Sequence, residues 1–417
     1  MKRFCWITWF MLGGVTVAGL RAEDWPQFRG PTGQGLAEGS LPTSWSKTTN
    51  VVWKQEIPGS GWSSPIIYKG RVYLTASVPV EKSEAKDFTL RALCLDAGTG
   101  KPLWDTEIFQ PPGKKAPRIH NKNSQASPTP LTDGQRVYVH FGHLGTAALD
   151  LEGKILWKST DIKYSPVHGN GGTPILAGEA LVFSCDGGDK QFVVALDRST
   201  GKVLWKTDRK TTAPKKFAFC TPLLITVNGQ EQIVLPGAGI VAAYEPKSGK
   251  EIWRVQYEDG YSVVPRPAFG NGLVFLSSGY DTPVTYAIRP DGTGDVTKTH
   301  IAWTLAKGAP LTPSPLVVGD ELYLVSDQGI ASCLDAKTGK VHWQERVGGN
   351  YSASPLYADG KIYLQAEDGT GVVVKAGKKF EVISRNELDE RSLASCAVCD
   401  GALFIRTNKH LYKIQSK

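Results

Sequence analysis

The chain has 417 residues, 21% of them charged and 41% hydrophobic, with a formal net charge of +8, proportions ordinary for a soluble globular protein. Its basic residues are scattered, mostly beside turns (Lys101, Lys154, Lys202, Lys250, Lys340), and no Lys/Arg run is interleaved with aromatics, which argues against nucleic acid as a partner. The 45 Gly, 26 Pro and 12 Trp instead suggest many short strands joined by tight turns.

At the N-terminus, Lys2 and Arg3 precede an uncharged run from Phe4 to Leu20, and Ala22 stands just before Glu23-Asp24. That order predicts a secretory signal over residues 1–22, cut near Ala22, and an exported protein, periplasmic or secreted. An uncleaved anchor is the alternative, because the run is near the lower limit for crossing a bilayer. No Cys follows the run at a cleavage position, so a lipid-anchored start is not expected.

One phrase then recurs along the chain: a Ser/Thr-Pro pair, a turn, a strand, Ala-Leu-Asp, Thr-Gly-Lys and Trp. The first unit has Ser64-Pro65, Cys94-Leu95-Asp96, Thr99-Gly100-Lys101 and Trp104; the second has Ser127-Pro128, Ala148-Leu149-Asp150 and Trp157. The third shows the phrase whole, with Thr173-Pro174, Ala195-Leu196-Asp197, Thr200-Gly201-Lys202 and Trp205. Thr221-Pro222, Ser248-Gly249-Lys250 and Trp253 make the fourth, and Arg266-Pro267 with Trp303 a looser fifth. Ser314-Pro315, Thr338-Gly339-Lys340 and Trp343 make the sixth. In the seventh, after Ser354-Pro355, Phe380 stands in for Trp, and the eighth is reduced to Ser395-Cys396, Leu403-Phe404-Ile405 and Leu411-Tyr412.

The eighth unit lacks an outer strand, and Val51-Val52-Trp53-Lys54 belongs to no unit. Pairing it beside Leu411–Ile414 closes a ring and removes free sheet edges. The expected fold is therefore all-β: an eight-bladed β-propeller of four-stranded antiparallel blades over residues 51–417, closed by an N-terminal strand. Its docking aromatics are Trp53, Trp104, Trp157, Trp205, Trp253, Trp303, Trp343 and Phe380. Each indole buries ~150–250 Å² across a seam between blades, about 4–6 kcal/mol gross. Asp-x-x-Thr-Gly is turn chemistry, with Asp and Thr capping local amides and Gly permitting positive φ.

The phrase from Ala195 to Trp205 resembles the tryptophan-docking motif of the quinoprotein repeat superfamily, which includes pyrroloquinoline-quinone dehydrogenases and the outer-membrane assembly factor BamB. The likeness covers residues 51–417, and Asp24-Trp25-Pro26-Gln27-Phe28-Arg29-Gly30 with Trp45 is similar to the start of many exported, uncharacterised members. Residues 23–50 are then expected to be an extended arm lying over the ring.

Strand order puts the segment before each Pro and the loop between second and third strands on one face, the Thr-Gly turns on the other. Polar residues that the repeat does not demand gather on the first face. The candidate ligand-binding set of this funnel is Asn121, Asn123, His143, His168, Asn170, Asp186, Asp189, Lys190, Arg266 and Asp281. His120, Lys122, Gln125, Tyr280, Asp327, Glu367 and Asp368 share the face, and solvated loop residues are the plain alternative.

Two functions stay open. One, implied by the BamB-like resemblance, is a non-enzymatic exported scaffold for an envelope or extracellular protein or an extended ligand. A monomer peripheral to the outer membrane is compatible with it, and it needs no cofactor, metal or catalytic residue. The other is a dehydrogenase of alcohols or sugars, in working or degenerate form, dependent on pyrroloquinoline quinone (PQQ) and Ca²⁺. Such family members hold a metal-bound quinone with a Glu/Asn/Asp set, an Asp base and a vicinal Cys-Cys pair. No two of Cys94, Cys185, Cys220, Cys333, Cys396 and Cys399 are adjacent here, and their pairing is undetermined by sequence. Asp291-Gly292-Thr293-Gly294-Asp295 vaguely resembles a calcium loop but reads as an enlarged turn on the opposite face.

Overall fold

A computed structural model describes residues 24–83, 87–111, 119–257 and 260–416; the signal expected over residues 1–22 lies outside them. Eight antiparallel sheets follow one another around a ring, here blades 1 to 8, beginning with the sheet of Ile66–Tyr68, Arg71–Pro79, Phe88–Asp96 and Pro102–Phe109. Each blade runs from an innermost strand to an outer one. In blade 3, for example, Ile175–Ala177 is innermost and Val203–Asp208 outermost. The two middle strands, Ala180–Asp186 and Gln191–Asp197, are buried almost throughout because neighbouring blades cover both faces, whereas Val203–Asp208 is largely exposed.

The ring closes as the sequence predicts. Val51–Glu56 pairs antiparallel with His410–Ile414, Lys54 opposite Tyr412, and completes blade 8. Glu390 fastens this junction: its carboxylate accepts hydrogen bonds from Lys54, Tyr412 and Thr407 and contacts the His410 ring.

The hydrophobic core lies in the seams. Separate clusters join successive blades, such as Val193, Ala195 and Trp205 of blade 3 with Leu235, Ala242 and Tyr244 of blade 4. The indole N–H groups of Trp53, Trp104, Trp157, Trp205, Trp303 and Trp343 each donate to a backbone carbonyl in the next blade's turn, at 2.9–3.1 Å. In those turns Asp96, Asp197 and Asp335 each accept the amide and hydroxyl of the Thr three residues on, which holds the carboxyls below their usual range. A Cβ on Gly201 would lie 2.4 Å from the Trp157 ring, and on Gly249 2.3 Å from Trp205, at φ of +72° and +68°. Glycine there serves both the turn and the indole's approach.

Three expectations are corrected. First, Phe380 does not occupy the docking position of blade 7. Cys94 faces Trp104 and Ala195 faces Trp205, but the corresponding Val373 faces Ser384. Phe380 packs backward on Trp343, with centroids 5.1 Å apart. The vacated seam is filled from the arm by Trp45, which lies against Gly371 and receives its amide anchor from Asn386 Oδ1 (2.8 Å). Second, Trp253 donates to Gln232 Oε1, and Gln232 in turn donates to Pro290 O. The reason is local: Gly294–Asp295, in the loop resembling a calcium site, runs parallel beside Trp253 and Arg254 as a fifth strand on blade 4. Third, the arm enters the ring. Trp25 bridges Ile67 in the innermost strand of blade 1, and Thr132 of blade 2 donates to Pro26 O. Leu36–Ala37 pairs parallel with Leu356–Ala358 of blade 7. The free edges of the innermost strands along the axis give the arm these partners.

The six cysteines from Cys94 onward are unpaired. Cys94 and Cys333 are buried seam residues, their thiols pushed up to about 12 by desolvation.

Candidate functional site: an axial funnel above a buried plug

The Ser/Thr that opens seven of the eight blades, in six of them just before a Pro, has a specific task. Ser64 N–H donates to Thr129 Oγ1 of the next blade, Thr129 to Thr173, and Thr173 to Thr221. Arg266 N–H donates to Ser314 Oγ, Ser314 to Ser354, Ser354 to Ser395, and Ser395 back to Ser64. These contacts of 2.9–3.1 Å form a belt around the axis, and Pro suits the following position because it stands just before the innermost strand, where no ladder bond calls for its N–H. The belt corrects the second unit: Thr129-Pro130, not Ser127-Pro128, holds the repeat position. Between blades 4 and 5 the hydroxyl is missing, and Arg266 Nε donates to Pro222 O instead.

The belt walls a recess of about 250 Å³ whose lining includes Phe28 of the arm. Beneath it two guanidiniums anchor the plug. Arg266 Nη1 donates to Phe28 O (2.7 Å), while Arg29 donates to Pro315 O (2.8 Å) and Gln34 O (2.6 Å). Around the mouth an arc of rings passes from His120 to His168, Phe217, Tyr261 and Tyr280, with successive centroids 5.4–6.5 Å apart. Lys122 crosses the mouth to Glu367 of blade 7 (2.7 Å).

His120, Lys122 and Tyr280, placed on this face by the sequence, line the recess, and of the ten-residue candidate set Asn123 and His168 do so together, the Asn123 amide donating to His168 O (2.9 Å). The others lie elsewhere. Arg266 is buried as a plug anchor. Asp186 is buried in an ion pair with Arg209, its carboxyl pushed up to about 6 by burial against the opposing guanidinium. Asn170 holds Phe141 O and the His143 ring, and burial lowers the His143 pKa. Asp189 caps Ser165 N (2.7 Å), beside exposed Lys190. Asp281 accepts from Tyr261 Oη (3.0 Å), and Asn121 O from Arg391 (3.2 Å). Besides the belt hydroxyls, the wall residues that the sequence reading did not place on this face include four aromatics, Phe28, Trp62, Phe219 and Tyr261. Each is an aromatic that the repeat does not demand, which was the available signal.

Comparison with known proteins agrees with this architecture. A family model described as outer membrane protein assembly factor BamB matches residues 39–160, 89–218 and 237–379. BamB of Burkholderia pseudomallei is 25% identical over 322 residues, covering 76% of this chain and 64% of the relative. The chain thus spans less than two thirds of the curated BamB relatives first matched. The structure of BamB from Moraxella catarrhalis superposes with a TM-score of 0.62 at 13% identity, over 88% of this chain and 97% of that one. Quinohemoprotein alcohol dehydrogenase from Comamonas testosteroni gives 0.67 at 11%, over 95% and 81%. At such identities the two structures speak for fold alone. With the eight blades, their repeated phrase and a family match over most of its length, the chain belongs to the PQQ-like β-propeller family typified by BamB.

Proposed function

We propose that the protein is an exported, non-enzymatic scaffold of the cell envelope that presents its funnel face to a protein or an extended ligand. The observation that carries this reading is how the ionisable groups of that face are used. Asp186 holds Arg209, Asp327 accepts from Leu311 and Thr312, Glu367 pairs with Lys122, and Arg266 fixes the arm. What remains toward the recess is aromatic and hydroxylic, with the His120 and His168 imidazoles among the rings, a surface for recognition. The BamB relatives and the signal expected over residues 1–22 support an envelope location.

A Ca²⁺-bound quinone does not fit this donor set. Calcium takes six to eight oxygens, usually with carboxylates among them. No Asp or Glu lines the recess, and no three His, Cys, Asp or Glu side chains converge as a metal set among the described residues.

Two measurements on the mature chain test the reading. Envelope extract passed over immobilised protein is expected to yield a partner whose retention falls with Tyr261→Ala or Phe219→Ala at the mouth. Titration with PQQ and Ca²⁺ is expected to leave absorbance and dye-coupled oxidation of alcohols and aldoses unchanged. Saturable quinone binding with turnover would overturn the scaffold.

A further inference from the structure

The belt has one break, and the break leaves a donor unmet. In seven blades the opening hydroxyl takes an N–H from the blade before it, but Arg266 stands at that position in blade 5. Thr221, whose N–H would have reached the missing hydroxyl, is buried, and that N–H has no acceptor among the described residues. Buried amides are nearly always paired, by ligand or water where the protein supplies nothing. Beside the gap, Thr221 Oγ1 accepts from the Thr173 N–H, and Ser314 Oγ from the Arg266 N–H and Ser354 Oγ. A hydroxyl that accepts in this way keeps its own proton to donate. Thr221 and Ser314 both line the recess of about 250 Å³, as does Phe28.

The charge behind the gap is positive. Arg266 and Arg29 are buried and donate to the backbone carbonyls of Pro222, Phe28, Pro315 and Gln34. No carboxylate pairs with either among the described residues, and burial together with Arg266 lowers the Arg29 pKa to about 9. Arg209, also buried, has Asp186 as its counter-ion. The acids that touch the recess wall are engaged elsewhere: Glu367 with Lys122, Asp281 with Lys215, and Asp327 with Leu311 and Thr312. A buried cation without a counter-ion is unfavourable, and an anion admitted to the gap offsets two of them at once. It also accepts the Thr221 N–H, which water does without meeting the charge.

We infer that the gap between blades 4 and 5 binds an oxyanion group, a carboxylate, sulfate or phosphate. The group takes protons from the Thr221 amide and from the Thr221 and Ser314 hydroxyls, in the field of Arg266 and Arg29. The two guanidiniums act from behind the wall, because backbone carbonyls hold their forks. This inference rests on the scaffold reading and gives its ligand an anionic end group.

The test is calorimetric titration of the full mature chain with acetate, succinate, benzoate, sulfate and phosphate, at constant ionic strength in chloride. Each carboxylate is run beside its neutral amide. At least one oxyanion is expected to saturate a single site, and a carboxylate that binds to exceed its amide about tenfold or more. Which anion binds identifies the end group. Arg266→Thr restores the belt hydroxyl and removes the charge, so it is expected to abolish binding, while Thr221→Val is expected to weaken it about tenfold. Melting temperatures establish that each variant is folded, and the amide comparison needs no variant at all. No oxyanion binding beyond chloride, amides matching their carboxylates, or undiminished binding by a folded Arg266→Thr protein would each overturn the inference. Partner capture that persists without oxyanion binding would remove the anionic end group and leave the scaffold. Quinone-dependent turnover would remove the scaffold itself.

Discussion

The glycine and indole at a seam depend on each other. Gly249 has φ +68° and leaves no room for a Cβ beside Trp205, so Gly249→Ala meets both backbone strain and a clash. It is expected to cost ~2 kcal/mol or more, read from urea denaturation. Trp45→Ala should open the blade 7–8 seam and cost ~3–5 kcal/mol, clearly more than Phe380→Ala, whose ring is only half-buried. Equal losses for the two would undo the assignment of Trp45 to that seam. Trp104, Trp157, Trp205 and Trp343 were legible because each follows an Asp-x-x-Thr-Gly or similar turn that fixes the register of the outer strand. Blade 7 has Ala376-Gly377-Lys378-Lys379 instead, so nothing in the sequence distinguishes Phe380 from Ser384 as the docking position. Trp45 was unreadable for a different reason: its partners Gly371 and Asn386 are far along the chain and outside any periodic frame.

Among elements, the closing strand and the belt bind blades that covalent order leaves apart. Burial alone would raise the Glu390 carboxyl, but hydrogen bonds from Lys54, Thr407, His410 and Tyr412 outweigh it and pull the pKa down to about 2. Because the folded value lies below the ordinary one, this stabilisation is complete above the unfolded carboxyl's pKa and fades as pH falls toward 2. Glu390→Gln is therefore expected to cost ~1–3 kcal/mol at neutral pH, and its difference from the parent protein to shrink between pH 4.5 and pH 2. Denaturation at several pH values reads both effects. In the belt, Thr173→Val keeps the shape but leaves the buried Thr129 N–H without an acceptor, an expected loss of ~1–3 kcal/mol by the same measurement. The recurrence of Ser/Thr-Pro was plain in the sequence. Its purpose was not, because each hydroxyl serves an amide forty or more positions away in the chain, a relation visible only once the blades stand side by side.

At the scale of the molecule, blade number, strand order and closure were all readable from the repeat, and the funnel was readable as a face but not as a lining. Residues such as Asp186 and Arg266 are polar because they fasten a buried guanidinium or buried backbone, a role that composition does not separate from ligand binding. The arm's path was hidden too, since nothing periodic marks it. Removing residues 24–37 should leave the ring closed, because Val51–Glu56 is untouched, while freeing the amides of Ile67, Phe269 and Tyr357. Those amides are expected to lose protection in hydrogen exchange, with the outer strands unchanged. The pairing of Val51–Glu56 with His410–Ile414 also sets the timetable of assembly. The segment translated near the start must wait for one translated near the end, so the molecule cannot mature blade by blade as it emerges. Until that late meeting two sheet edges stay open to strangers, and any chaperone guarding this protein would be needed most at that stage.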